Sequence, residues 1–569
     1  MKKVLTIVLI FALVMAALFG ISVLWERNRP VKPQAPSVVP GASGEPGTSG
    51  ELYASSEAGM DALITDSLDA SSATVITFTD DNVTVSGIGV DHQGSIATIA
   101  YPGIYLVRGT CPNGQLVVDL GSFSGAVYIV LDGLNLTCDT GPALQVIQAD
   151  LTQLWLMEGS QNLLCDGEDY LVQEGQEKKT GAAVYSADDL VLNGSGTLTV
   201  LGRSADGIRS KDALTIMGGS IAVYSADDGL QSSDYIRITD GSLIIGAKGD
   251  GIATTDGFID ISGGRISIAS GGDGIYAVSD ITVSGGEISA VTYGGPENYA
   301  SAVKEDLSAK GLKAGGVIGI TDGVFSLRTA DDAIHADRDI SILGGSFDIA
   351  AGDDGVSAAN VVNIRAVTMD IADCYEALEG DMILLSNVVM NAAAQNNGVD
   401  AGQGGVTIYA STLDFTAPCA ISSDSALKML DVDITLAADG SDSMFSFAWS
   451  DIIGCHILAS ADAGRSAVLL GKGVLPGSAL FGFAEAVPAG TEFVLTDPAG
   501  TLIYSFSFDR DVMEVFVLSD GLMNEQTYTL TAGDDVLSFP YNAAGSVVNE
   551  QALPNMSASG GRGGPPMGR

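Results

Sequence analysis

A triplet of acid, glycine and aliphatic residue returns about every 22 residues through the middle of the chain, and a period of that size restricts it to a stack of repeating coils. The triplets are Asp206-Gly207-Ile208, Asp228-Gly229-Leu230, Asp250-Gly251-Ile252, Asp273-Gly274-Ile275, Lys310-Gly311-Leu312, Asp332-Ala333-Ile334, Asp354-Gly355-Val356, Glu376-Ala377-Leu378 and Asn397-Gly398-Val399. Successive middle positions lie 22, 22, 23, 37, 22, 22, 22 and 21 residues apart, so one insertion of about 15 residues, near Tyr293 to Asp306, interrupts a steady register.

A second mark travels with the first. Eleven or twelve residues after each motif glycine stands a turn pair, Gly218-Gly219, Asp240-Gly241, Gly263-Gly264, Gly285-Gly286, Asp322-Gly323 or Gly344-Gly345, of the kind that supplies positive φ. Each coil therefore has at least two corners. Between them apolar residues alternate, as in Leu214 and Ile216, Ile236 and Ile238, Ile259 and Ile261, Ile281 and Val283, Ile340 and Ile342, which is a strand with one buried face. Strands this short bury that face only by stacking coil on coil, so the pattern predicts an all-β chain folded as a parallel β-helix. Ankyrin, tetratricopeptide and leucine-rich repeats would need helical segments that the pattern lacks, and a period of 22 excludes the nonapeptide calcium repeat.

The 569 residues allow more than one domain, and 72 glycines with 17% charged residues suit a β-solenoid better than a disordered chain. Residues 1–25, with Lys2 and Lys3 before an apolar run from Val4 to Trp25, read as a signal peptide or transmembrane anchor, either of which exports the rest to the cell surface or the medium. Residues 26–73 carry Pro30, Pro33, Pro36, Pro40 and Pro46 and read as a linker. A β-helix is expected over residues 74–480, with early coils and a cap before about Gln176. A small antiparallel, sandwich-like β domain is expected over 481–552, and a disordered Gly/Pro/Arg tail over 553–569. A net charge of -44 argues against nucleic acid or an anionic membrane surface as partner and leaves cations as the natural counter-ligands; membrane contact is expected through the N-terminal segment alone.

Equivalent positions in stacked coils sit about 4.8 Å apart, so the motif acids form a ladder of carboxylates. Two charges at that spacing repel by roughly 3.5 kcal/mol at an effective dielectric of about 20. Calcium, which takes several oxygen ligands, is the expected offset, with Asp206, Asp227, Asp228, Asp250, Asp273, Asp331, Asp332, Asp353, Asp354 and Glu376 as its candidate ligands. A further acidic column, Asp212, Asp234, Asp256 and Asp280, adds oxygens. The plainer alternative is that Asp-Gly is a turn signal and that the carboxylates are solvated or raised in pKa.

Because the aliphatic after each motif glycine points inward, its successor points outward. The successors are Arg209, Gln231, Ala253, Tyr276, Lys313, His335, Ser357, Glu379 and Asp400. Of these, Arg209, Gln231, Tyr276, Lys313 and His335 suit the hydroxyls and carboxylates of a sugar chain, against the alternative of an ordinary solvated face. Cys111, Cys138, Cys165, Cys374, Cys419 and Cys455 include no CxxC pair, which argues against structural zinc, and the first three, 27 residues apart, read as buried side chains in neighbouring coils. His92, His335 and His456 are scattered, and no HExxH, Walker A or Rossmann fingerprint is present.

The stretch from Ser204 through Asp206-Gly207-Ile208-Arg209-Ser210-Lys211-Asp212 to Gly218-Gly219-Ser220, with its copies, resembles the bacterial calcium-binding, carbohydrate-binding parallel β-helix domains that bind cellulose and acidic sugars and are related in fold to polysaccharide lyases. The resemblance runs from about Thr74 to Ala532 and includes Gly500 to Phe506 and Glu525 to Gly533. It implies a right-handed helix, calcium at Asp-rich corners and glycan binding without established catalysis. Lys310, Ala333, Ala377 and Asn397 depart from the acid-glycine pattern, so a calcium row should fail at Lys310 and toward Asn397. The expected function is calcium-dependent binding of cellulose or acidic polysaccharide at the cell surface. The alternative is a calcium-dependent pectate-type lyase, with Lys310, Lys313 or Arg209 as the base, or else Lys248. An adhesin or structural spacer is a weaker third reading.

Overall fold

The computed structural model describes residues 70–168, 181–438, 445–461, 477–508, 510–519, 521–541 and 546–548. The expected export segment, most of the linker and the tail lie outside these residues. Among the described residues no helix is long and apolar enough to cross a membrane.

Alternation becomes strand, and strand becomes a parallel β-solenoid with three faces. One coil contributes Asp206–Ser210 to the first face, Ala213–Ile216 to the second and Ser220–Ser225 to the third. The next coil repeats this with Leu230–Ser232, Tyr235–Ile238 and Ser242–Gly246. Every pairing between these coils is parallel and in register: Ile208 faces Leu230, Leu214 faces Ile236, and Ile221 faces Leu243. The acid-glycine corner joins the third face to the first, and the turn pair joins the second to the third.

A single line of register partners runs through the molecule: Ala97, Leu116, Leu144, Val184, Ile208, Leu230, Ile252, Ile275, Leu312, Ile334, Val356, Leu378, Val399, Ile421 and Phe445. None is more than 1% exposed. Each large side chain in that line contributes about 1.5–3 kcal/mol on burial, and this continuous core is what fixes the register. The line also shows that the irregular first third is built of the same coils, with antiparallel pairings of Thr74–Phe78 on Val83–Ser86 and of Val90–Gln93 on Ile96–Ile99 at its start.

The glycines of the two corners serve different ends. In the turn pairs the second glycine takes positive φ, for example Gly219 at +93° and Gly241 at +108°, as the dipeptides require. Motif glycines are not left-handed. A Cβ on Gly229 would overlap Ile245 Cγ2 and the Gly251 carbonyl, so there the requirement is space beneath the next coil.

The insertion carries a seven-residue α-helix, Tyr299–Glu305 (α1), ended by Asp306 at a φ of 56°. At the C-terminal end, parallel stacking stops at His456–Ala461, onto which Val512–Ser519 pairs antiparallel. A separate four-stranded antiparallel sheet, from Phe493–Thr496, Leu502–Phe506, Thr527–Ala532 and Asp535–Pro540, packs its apolar face, Phe493, Leu495, Tyr528 and Leu530, with Val515, Val517 and Phe481 in a second core. All six cysteines are buried and unbridged. Cys138 N–H donates to the Cys165 carbonyl, which puts these two in adjacent coils, but Cys111 stands opposite Leu136, so the first three do not form one line.

Candidate functional site: a stitched carboxylate ladder

The motif acids stack as the period demands, and hydrogen bonds tie each rung to the next. Oδ1 of each acid accepts the backbone N–H of the residue one coil on: Asp206 from Asp228 at 3.3 Å, Asp228 from Asp250 at 2.8 Å, Asp250 from Asp273 at 2.7 Å and Asp273 from Lys310 at 2.7 Å. The series continues beyond the insertion, Asp332 accepting from Asp354 and Asp354 from Glu376, both at 3.1 Å. The inner oxygen thus satisfies a backbone donor at the corner, which leaves the outer oxygen for other partners.

The outward column supplies several of those partners, so the two columns read separately from the sequence form one network. Arg209 Nη1 lies 3.3 Å from Asp206 Oδ2, Gln231 Nε2 donates to Asp228 Oδ2 at 2.6 Å, and His335 Nδ1 lies 2.9 Å from Asp332 Oδ2, each three residues after its acid. Lys313 Nζ is 3.3 Å from Asp273 Oδ2 and stands 4.9 Å from the centroid of the Tyr276 ring. Ala253 gives Asp250 no such partner.

Burial, then the charge of neighbouring rungs, sets the protonation of the ladder. The carboxyls of Asp206 and Asp250 are pushed up to about 7, first by burial and next by Asp228 and Asp273 respectively. Burial also raises Asp228. Glu376 rises to about 7 through burial and then Asp400, and Asp354 rises well above the carboxylate range through burial and the charges of Asp332 and Glu379.

Three groups of carboxylates converge among the described residues, each with oxygens within 4.8 Å of one another: Asp206, Asp227 and Asp228; Asp331, Asp332 and Asp353; Asp354, Glu376 and Glu379. Hard oxygen donors in such groups fit calcium in kind. Their internal company differs. The first group touches Arg209, and the second holds Lys310, whose Nζ lies 2.8 Å from Asp331 Oδ1 and 2.7 Å from Asp332 Oδ2. In the third, Glu376 Oε1 accepts from the side-chain amides of Asn396 and Asn397 and Glu379 Oε2 accepts from Ser357 Oγ, and no ion pair joins the group to a Lys or Arg among the described residues. Asp250 and Asp273 belong to the ladder but to none of the three groups, nor do Asp212, Asp234, Asp256 and Asp280.

Beside the third group opens a trough of about 660 Å³ on the first face, lined by His335, Asp337, Ser357, Glu379, Asp381, Asp400, Ser422 and Asp424 among others. Asp337, Asp381 and Asp424 were not singled out in the sequence. They recur at two-coil intervals, two residues beyond the outward column, and that doubled period was the signal that would have found them. The outward strip is therefore polarised, with Arg209, Lys313 and His335 toward one end and carboxylates toward the other.

A parallel β-solenoid with a carboxylate ladder along one corner and a polar strip beside it is the class these features define. Residues 93–355 match the family described as carbohydrate-binding domain-containing protein, in keeping with the resemblance carried by the repeat. A protein of that description from Acetivibrio thermocellus is 35% identical over 149 residues, 26% of this chain and 52% of its own length, so the chain spans about half the length of the curated relative it matches. A solved structure described as a polysaccharide lyase-like protein from C. thermocellum, in a gadolinium derivative, is 29% identical with a TM-score of 0.40, covering 44% of this chain and 96% of the other.

Proposed function

We propose that the protein binds polysaccharide along the first face of its solenoid, that calcium held by the ladder supports this binding, and that it acts outside the cell, exported by its N-terminal segment. The observation that carries the reading is the polar strip itself, Arg209 and Gln231 on adjacent strands and then, past Ala253, Tyr276, Lys313 and His335, all in one register line inside the stretch that matches the carbohydrate-binding family. Spaced about 4.8 Å apart, such groups suit an extended chain of hydroxyls and carboxylates. Toward the trough the strip turns anionic, and there an acidic glycan needs a bridging cation. Calcium at Asp354, Glu376 and Glu379 would supply it there, and calcium at Asp206, Asp227 and Asp228 would do the same at the opposite end of the strip. Cellulose, being neutral, would use the hydrogen-bonding groups alone.

Binding is favoured over β-elimination by the state of the basic residues. A base has to release its proton near the working pH. Lys310 is held by two carboxylates that, against the opposing effect of burial, raise its ammonium above the ordinary value. Lys313 and Arg209 also lie against acids, Asp273 and Asp206. The test is retention of the whole chain on insoluble cellulose and on immobilised polygalacturonate, with calcium and with a chelator. Retention on polygalacturonate that the chelator abolishes is the expected result. Absence of retention on either polymer defeats the proposal, and a calcium-dependent rise in ultraviolet absorbance from unsaturated product would replace it with the lyase.

A further inference from the structure

We propose that Lys310 is a tethered counter-ion, its ammonium standing where a metal ion would stand among Asp331, Asp332 and Asp353, so that this group needs no metal in the native protein and becomes a calcium site only when Lys310 is removed. The inference uses the calcium reading of the other two groups for contrast, and its test separates the two.

Where other coils carry an acid, this coil starts with Lys310. Its backbone keeps the stitch to the rung before, because the Lys310 N–H still donates to Asp273 Oδ1 at 2.7 Å, but it offers no acceptor to the next coil, where the Asp332 N–H turns to Asp331 Oδ1 at 3.0 Å. Its side chain leaves the rung and reaches one coil forward, to within 2.8 Å of Asp331 and 2.7 Å of Asp332, with only 15% of its surface exposed. A compact ammonium with three donors can satisfy oxygens from two carboxylates at once.

The insertion, which enters the chain just before Lys310, furnishes the rest. From it Tyr299 Oη donates to Asp353 Oδ2 at 2.9 Å, and just after it Ser308 Oγ donates to Asp273 Oδ1 at 2.7 Å. Ala302, Ala309 and Ala330 pack together beneath it, and Thr292 Oγ1 donates to the Ala309 carbonyl. All three acids of the group thereby gain a donor built into the chain: Asp331 and Asp332 from Lys310, Asp353 from Tyr299. His335 closes the far side at 2.9 Å from Asp332 Oδ2.

The electrostatic consequence separates this rung from its neighbours. Burial pushes Asp332 upward, but His335 and Lys310 outweigh it and hold the carboxyl below its ordinary range. Asp206, Asp228, Asp250, Asp354 and Glu376 are shifted the other way. A divalent ion entering here would meet a fixed ammonium at contact distance, whereas at Asp354, Glu376 and Glu379 it would meet none.

The experiment counts calcium. The whole chain, its Lys310→Gln variant and the double variant Lys310→Gln with Asp331→Asn are dialysed against calcium, analysed for bound metal and melted with and without chelator. Lys310→Gln is expected to bind one more calcium per chain than the native protein and to melt lower in chelator, with calcium restoring the loss. The double variant is expected to return to the native count. An unchanged count in Lys310→Gln, with a melting loss that calcium does not repair, overturns the proposal. If the native chain binds no calcium and Lys310→Gln binds one, the calcium reading of the other groups falls while this one stands. Should Lys310→Gln fail to fold, Asp353→Asn in the native chain takes its place: an unchanged calcium count is expected, and loss of one ion overturns the proposal.

Discussion

At the residue scale, the same amino acid does unlike work at the two corners. Gly229 has no left-handed backbone to excuse it, yet a Cβ there would strike Ile245 and the backbone of the next coil. Gly319, in the strand Val317–Ile320, has open space where a Cβ would go and no positive φ. Gly229→Ala is therefore expected to cost about 1–3 kcal/mol through overpacking. Gly319→Ala is expected to be neutral or to stabilise by about 0.4–1 kcal/mol, through the smaller freedom of the unfolded chain. Denaturant titration of both variants decides the matter, and equal losses would mean that the glycines matter for conformation alone. The repeat made Gly229 visible but left its reason hidden, since a clash with Ile245 depends on which face lies beneath the corner.

A second residue-scale prediction concerns Glu514. It is 2% exposed, both its carboxylate oxygens lack a hydrogen-bond partner among the described residues, and burial pushes its carboxyl up to about 7 from 4.5. Between those two values the folded protein holds a proton that the unfolded chain releases, so stability falls as pH rises through that window, and the full penalty is present above it. Glu514→Gln is expected to raise stability at pH 8 by about 1–3 kcal/mol and to change it little at pH 4. A gain of equal size at both pH values would remove ionisation as the cause.

At the element scale the unit is the rung, an acid that accepts the next coil's N–H through one oxygen and a cation, an amide or nothing through the other. This predicts a difference between two substitutions at Asp250, the rung whose coil places Ala253 in the outward column. Asp250→Asn keeps an oxygen for the Asp273 N–H and sheds a charge that Asp228 and Asp273 repel, so in chelator it should be neutral or stabilising. Asp250→Ala strands that N–H and should cost about 1–3 kcal/mol. Equal losses in a denaturant titration would show that the charge, not the stitching, holds the corner. Sequence alternation was enough to read the three columns, because strands have a period of two and the coil has a period of 22. What it concealed was their crosstalk, such as Arg209 on Asp206 and Lys310 on the following coil, because side-chain reach is not written in spacing. The helix α1 was also concealed: seven residues with no side-chain cap leave no periodic trace.

At the scale of the whole molecule, a stack whose coils touch only their neighbours distributes stability locally and must protect its end. Here the last parallel strand, His456–Ala461, is covered by the antiparallel strand Val512–Ser519, which also carries Val515 and Val517 into the second core. Sequence character alone marked a change to antiparallel strands over 481–552, but not that one of them would close the solenoid, since Val515 to Leu518 is apolar on both sides and could belong to either core. Val517→Pro removes an N–H from a strand paired on both sides, opposite Leu458 and Ala479, where proline is not tolerated. If the stack is locally coupled, hydrogen exchange should rise in strands Asp433–Ala437 and His456–Ala461 while the coils from Asp206 to Ala336 keep their protection, and size-exclusion should reveal association through the opened edge. Uniform loss of protection along all coils would instead make the solenoid one cooperative unit, and the ladder, which links rung to rung by hydrogen bonds from Asp206 to Lys310 and from Asp332 to Glu376, would be the natural carrier of that cooperativity.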